Sequence, residues 1–264
     1  MAELNYTASG RTRDPPVLFL HGFMGSFSDW SDIIAALGGR FHCVAVDLPG
    51  YGASLGLPYP GSYTIEGAAR SVIRLLDELG IARPAVVGYS MGGRLALYLA
   101  LHHPERCRGL FLESASPGLE DAAERAARRD ADEVRAARLE SGNLEGFIQG
   151  WYRQPLFASL GSREELLRRI IEARRGNDPK ELARSLRQMG TGNGPSLWGE
   201  LPGLRAPALA VAGELDEKYV RVARRMVEFN PQIRAAVIPG AGHNVRVEAP
   251  GAYIGLLKEI LQSL

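Results

Sequence analysis

With 264 residues, 45% of them hydrophobic, the chain is long enough to bury one substantial core and short enough for a single α/β domain carrying an insertion. Its 31 basic and 30 acidic residues leave a net charge of +1, which excludes a general pull on nucleic acid or anionic membrane and makes any affinity for anions local. The two cysteines, Cys43 and Cys107, stand at the starts of apolar runs, outside any metal-holding spacing, and are expected to be buried and inert; no spacing suggests a metal or an organic cofactor.

The opening MAELNYTASG lacks a basic segment followed by an apolar stretch, and no later segment approaches the roughly 20 apolar residues that cross a bilayer. A cytoplasmic protein without a membrane partner is the expectation, with a monomer as the default state. In chain order, the first apolar run is VLFLHG at 17–22 and the second is CVAVDL at 43–48. Neither alternates with polar residues, which predicts strands covered on both faces, as in a parallel sheet. Between 64 and 79, Ile65, Ala68, Ala69, Val72, Ile73, Leu76 and Leu79 recur at helical spacing and predict a helix with one apolar face. Further runs at 85–90 (AVVGYS), 108–114 (RGLFLES), 208–214 (ALAVAGE) and 234–238 (RAAVI) continue the alternation of strand and helix. The expected architecture is therefore α/β, a mostly parallel, doubly wound sheet.

The alternation breaks once, between about 117 and 195, where Arg- and Glu-rich stretches such as DAAERAARRDADEVRAARLE replace a short link. This predicts an inserted helical cap of residues 117–195 on a core of residues 1–116 and 196–264. The cap's 14 Lys plus Arg against 13 Asp plus Glu make it charged without being basic, and most of these side chains are expected on solvated helix faces.

At 88–92 the chain reads GYSMG, directly after the run PAVV and directly before the helical run GGRLALYLALHH. A G-x-S-x-G string alone is weak, but this strand-turn-helix context is the nucleophile elbow of the α/β-hydrolase fold. Ser90 is expected at a strained turn, with Gly88 and Gly92 leaving room for neighbouring backbone and its hydroxyl exposed at a helix N-terminus. The backbone N–H of Met91 is one expected stabiliser of developing negative charge, and that of Phe23, in the loop HGFMGS after the first run, is the other. His21 is expected to be structural, its ring tied to loop backbone.

The chain order of such sites, serine then acid then histidine, selects Asp216 in AGELDEKYV and His243 in PGAGHNVRVEAP. A neutral imidazole at His243 can take the Ser90 proton, and a buried Asp216 would fix its tautomer and favour the imidazolium. Glu113 and Glu214 also stand at strand ends and remain alternatives for the acid. His42, His102 and His103 sit in structural or surface positions.

Together the segments GYSMGGR (88–94), LESASPGL (112–119), ERAARR (124–129), WYRQPLF (151–157) and GTGNGPSLW (190–198) make the chain resemble the 2-succinyl-6-hydroxy-2,4-cyclohexadiene-1-carboxylate synthases of menaquinone biosynthesis. The likeness runs over nearly the whole chain, and the arginine-bearing and cap segments carry it. It implies a lyase: Ser90, made basic through His243, removes a proton activated by a neighbouring ketone, and pyruvate is lost without an acyl-enzyme. The oxyanion donors would then stabilise an enolate.

A substrate with several carboxylates needs charge-assisted bonds that offset its desolvation. Arg94 lies one helical turn after Ser90 on the same face and is the first candidate to supply them. The family pattern adds Arg128 and Arg174 from the cap, Trp151 as a pocket wall and Tyr89 as a hydrogen-bond donor. Open alternatives are an acid partner for Arg94, Arg125 or Arg129 facing inward instead of Arg128, and Trp151 as packing between cap and core. Two other functions compete: a serine hydrolase acting on a small carboxylated ester or carbon–carbon bond, and a binding scaffold without chemistry, against which the intact Ser90, Asp216 and His243 set argues.

Overall fold

The computed structural model describes residues 4–57 and 61–264. Its strands are β1 (Tyr6–Ser9), β2 (Pro16–Leu20), β3 (His42–Val46), β4 (Ala85–Tyr89), β5 (Gly109–Glu113), β6 (Ala208–Gly213) and β7 (Ile233–Ile238). The helices are α1 (Ser31–Ala36), α2 (Ile65–Glu78), α3 (Met91–His102), α4 (Ala122–Glu140), α5 (Leu144–Tyr152), α6 (Glu164–Arg174), α7 (Pro179–Met189), α8 (Glu217–Phe229), α9 (Val245–Glu248) and α10 (Pro250–Ser263).

One sheet runs in the order β1-β3-β2-β4-β5-β6-β7, parallel throughout except for β1. Alternate residues of its central strands feed two separate cores. Leu18 and Leu20 pack with Val72, Leu76, Leu95 and Leu99 of α2 and α3. Val17 and Phe19 pack on the opposite face with Ile33 of α1 and Tyr253 and Leu257 of α10. Burial on both faces is why the strand sequences show unbroken apolar runs.

Sequence reasoning missed β1. Its four residues, YTAS, carry no apolar run, and three of them are exposed, because β1 is an edge strand paired antiparallel with β3. Backbone pairing forms it, with little burial behind it.

Helix α2 starts where Thr64 Oγ1 accepts the Gly67 N–H at 3.1 Å, so the expected helix over 64–79 gains a definite N-cap. The chain then crosses back over β2, making β2 and β4 direct neighbours, with Leu20 opposite Gly88. This reversal opens a crevice at the carboxyl ends of those strands, between the loop after β2 and the start of α3.

Helices α4 to α7 lie between β5 and β6 in sequence and add no strand to the sheet. Asp121 caps α4, and Asp178 followed by Pro179 starts α7. Several contacts hold this segment against the core. The Tyr51 and Ser185 hydroxyls meet at 2.6 Å, and Asn177 donates to the Met24 carbonyl at 3.1 Å. Arg163 donates to the carbonyls of Glu248 and Gly240 at 2.6 and 3.0 Å. Among the described residues, no helix is long and apolar enough to cross a membrane.

Candidate active site

Ser90 has φ +51° and ψ −108°, a left-handed conformation that costs a non-glycine residue roughly 1–3 kcal/mol. Its surroundings enforce the turn. A Cβ on Gly88 would lie 2.5 Å from the Gly92 carbonyl oxygen, and one on Gly92 would lie 2.3 Å from that of Leu20. Only glycine lets strand, turn and helix approach so closely. The Ser90 N–H is held by the Glu113 carbonyl at 2.8 Å, and the side chain is left facing the crevice.

The structure brings Ser90, His243 and Asp216 into one hydrogen-bonded series. His243 Nδ1 lies 2.6 Å from Asp216 Oδ2, and its Nε2 lies 3.3 Å from Ser90 Oγ. A carboxylate can only accept, so Nδ1 carries the proton, and in the neutral ring Nε2 presents its lone pair to the serine hydroxyl. Asp216 is buried and caps α8, its Oδ1 accepting the Tyr219 N–H at 3.3 Å. Neither alternative acid reaches the imidazole nitrogens. Glu113 is bound by Arg246, and Glu214 accepts the Gly240 N–H at the surface.

The loop after β2 brings Phe23 beside Ser90 and Met91 in the same cavity. Among the described residues the Phe23 N–H has no hydrogen-bond partner, and Met91, the first residue of α3, has no helical carbonyl behind it. His21 accepts the Leu48 N–H at Nε2 (3.0 Å) and donates from Nδ1 to the Gly22 carbonyl (2.7 Å). Burial holds its pKa below the ordinary value, so it braces this loop as a neutral ring.

The cavity beside Ser90, of about 130 Å³, is lined by Arg94, Arg128, Arg135, Trp151, Gln154, Thr191 and Tyr219 among others, and among the described residues none that lines it is acidic. Arg94 is 4% exposed; its Nη2 donates to the Met189 carbonyl, and its Nη1 has no partner. Burial lowers its pKa to about 10, the charge of Arg128 acts in the same direction, and Tyr219, Asp132 and Glu66 offset them only in part. Arg128 and Arg135 share the buried Asp132 at 2.8 and 3.0 Å. Arg125 and Arg129 instead donate to the backbone carbonyls of Leu119, Glu120 and Gly192. Trp151 packs 4.7 Å from the Phe23 ring.

A narrower cavity of about 40 Å³, room for a few waters, adjoins Ser90 and His243 and is lined by Tyr89, Tyr152, Arg174 and Asn244. Here Arg174 is already engaged. It forms a fork with Asp29 at 2.7 and 2.9 Å, and its Nε donates to the Tyr152 hydroxyl at 3.3 Å. Burial opposes its charge, but Tyr152 and Asp29 outweigh that and hold its pKa above the ordinary arginine value. Tyr89 lies between the His243 ring (5.5 Å) and the Arg246 guanidinium (4.0 Å).

Sequence reasoning passed over Asp29, Asp132, Arg135, Tyr219 and Arg246. Only Tyr219, three residues after the chosen acid, carried a local signal, since the third residue of a helix donates its N–H to the capping side chain.

The family model described as "alpha/beta hydrolase fold" matches residues 15–250. A Bacillus subtilis (strain 168) protein named "Putative 2-succinyl-6-hydroxy-2,4-cyclohexadiene-1-carboxylate synthase" is 35% identical, over 97% of this chain and 93% of its own length. An Enterobacter sp. (strain 638) protein with the same name, without "putative", is 32% identical over 97% of this chain and 95% of its own. The solved structure of MenH from S. aureus superposes with a TM-score of 0.93 at 30% identity, covering 100% of this chain and 99% of that one.

Proposed function

Because the chain belongs to the 2-succinyl-6-hydroxy-2,4-cyclohexadiene-1-carboxylate synthase family of the α/β-hydrolase fold, we propose that it eliminates pyruvate from 2-succinyl-5-enolpyruvyl-6-hydroxy-3-cyclohexene-1-carboxylate. Ser90 Oγ, with His243 Nε2 taking its proton, removes the ring hydrogen next to the succinyl ketone. The C–H electron pair forms an enolate, whose oxygen is met by the N–H groups of Phe23 and Met91. Collapse of the enolate carries the pair along the ring alkene and breaks the carbon–oxygen bond to the enolpyruvyl group, which takes up a proton and leaves as pyruvate. Asp216 orients His243 and favours its charged form while it holds the abstracted proton.

The observation that carries this reading is Arg94. A buried guanidinium with a free Nη1 and no carboxylate bonded to it among the described residues, in a cavity lined by two further arginines, calls for an anionic ligand. A site for neutral esters has no use for that charge.

Pyruvate release from freshly prepared substrate is the test. The native protein should catalyse it, and Ser90→Ala should lose about 10²- to 10⁴-fold in kcat. No catalysed release would sink the reading. A covalent Ser90 adduct seen by mass spectrometry during turnover would replace it with serine hydrolysis.

A further inference from the structure

We propose that the Tyr219 hydroxyl is a substrate-holding donor, gripping one ligand carboxylate together with Arg94 and Arg128 in the larger cavity beside Ser90. Tyr219 is placed by the catalytic machinery itself. Its N–H donates to Asp216 Oδ1 at 3.3 Å, and its ring centre is 4.7 Å from that of His243, inclined at 59°. Its side chain lines the same cavity as Ser90, Arg94 and Arg128.

The ring contact with His243 needs no hydroxyl; phenylalanine would pack there equally well. Yet the hydroxyl has no hydrogen-bond partner among the described residues, and the charged groups that act on it from inside the cavity are the two arginines. Guanidinium N–H groups only donate, so neither arginine can accept the Tyr219 O–H, and Arg94 Nη1 adds a second donor without a partner. An anion entering the cavity supplies the missing lone pairs. Burial and the charge of Asp216 raise the phenol's pKa against the opposing pull of Arg128 and Arg94, so it keeps its proton and remains a donor. A carboxylate held there is positioned relative to His243 and Asp216 through the same residue.

This inference rests on the proposed carboxylated substrate, and Tyr219→Phe tests it. The ring, its contact with His243 and the melting temperature should persist. KM for pyruvate release should rise about tenfold, the loss expected for one hydrogen bond to a charged group, while kcat should stay within about twofold. Calorimetric titration with succinate should show affinity weakened by a similar factor. Unchanged KM and unchanged succinate affinity would overturn the proposal. So would a fall in kcat at constant KM, which would mean that Tyr219 acts through His243. Failure of the unsubstituted protein to bind succinate would also reject it. If that protein binds succinate but releases no pyruvate, the assigned reaction fails while the titration still reads the hydroxyl.

Discussion

The guanidinium of Arg246 lies over the Tyr89 ring, 4.0 Å from its centre, so the residue three after His243 is stacked on the residue before Ser90. Arg246 also donates its backbone N–H to Glu113 at 3.0 Å and its Nη1 to both carboxylate oxygens. The Glu113 carbonyl in turn holds the Ser90 N–H. The loop that carries His243 and the turn that carries Ser90 are thus keyed through one buried ion pair.

Removing one member of that pair strands the other. Burial already pushes the Glu113 carboxyl above its ordinary pKa despite Arg246, so Arg246→Met should cost about 3–5 kcal/mol in urea unfolding. The double variant Arg246→Met/Glu113→Leu should recover most of that loss. Losses that simply add would show the two residues to be uncoupled.

Asp29 stands between Arg174 and Arg246, 2.7 Å and 3.7 Å from their nearest nitrogens. Burial pushes its carboxyl up, but the two guanidiniums prevail and hold it below its ordinary value of 3.8. A carboxyl whose pKa is lower folded than unfolded adds stability above the unfolded value and loses it as pH falls toward the folded one. Asp29→Asn should therefore be less stable than the native protein at pH 7, by about 2–4 kcal/mol, with the gap closing below about pH 4. Unfolding curves that stay equally spaced from pH 7 to pH 3 would count against this role.

Arg94 sets function against stability. With its pKa lowered to about 10 and Nη1 unpartnered, its charge is a burden on the empty protein. Arg94→Met should raise unfolding stability by about 1–2 kcal/mol and lower kcat/KM for pyruvate release by about 100-fold. Full activity in this variant would remove Arg94 from the ligand's surroundings.

The cysteines should be silent. Cys43 and Cys107 are buried, and burial pushes their thiols up to about 11 and about 12. At pH 8 neither should react with a thiol reagent over hours in the folded protein, and both should react once urea unfolds it. Rapid labelling under native conditions would contradict their burial.

The central strands and the serine turn were legible because their signals are local. An apolar run buried on both faces and a glycine-flanked serine between strand and helix need no distant partner to be recognised. The edge strand β1 was illegible because YTAS carries no burial pattern. The inward-facing arginine of α4 was equally hidden, since Arg125, Arg128 and Arg129 share one polar helix. Packing of α4 on α7 turns Arg128 to the cavity and leaves Arg125 and Arg129 on backbone carbonyls.

By itself, the order of residues determined the α/β alternation and the glycine-framed turn at Ser90, and it pointed to His243 and, ahead of Glu113 and Glu214, to Asp216 as its partners. Only the folded chain decided that Asp29 joins two arginines, that Asp132 joins two others, and that Tyr219 lines one cavity with Arg94. The division has a physical cause. Hydrophobic periodicity and turn geometry act between near neighbours in sequence, whereas buried charges find their partners across strands and helices whose adjacency is set by the winding of the sheet and the seating of α4 to α7.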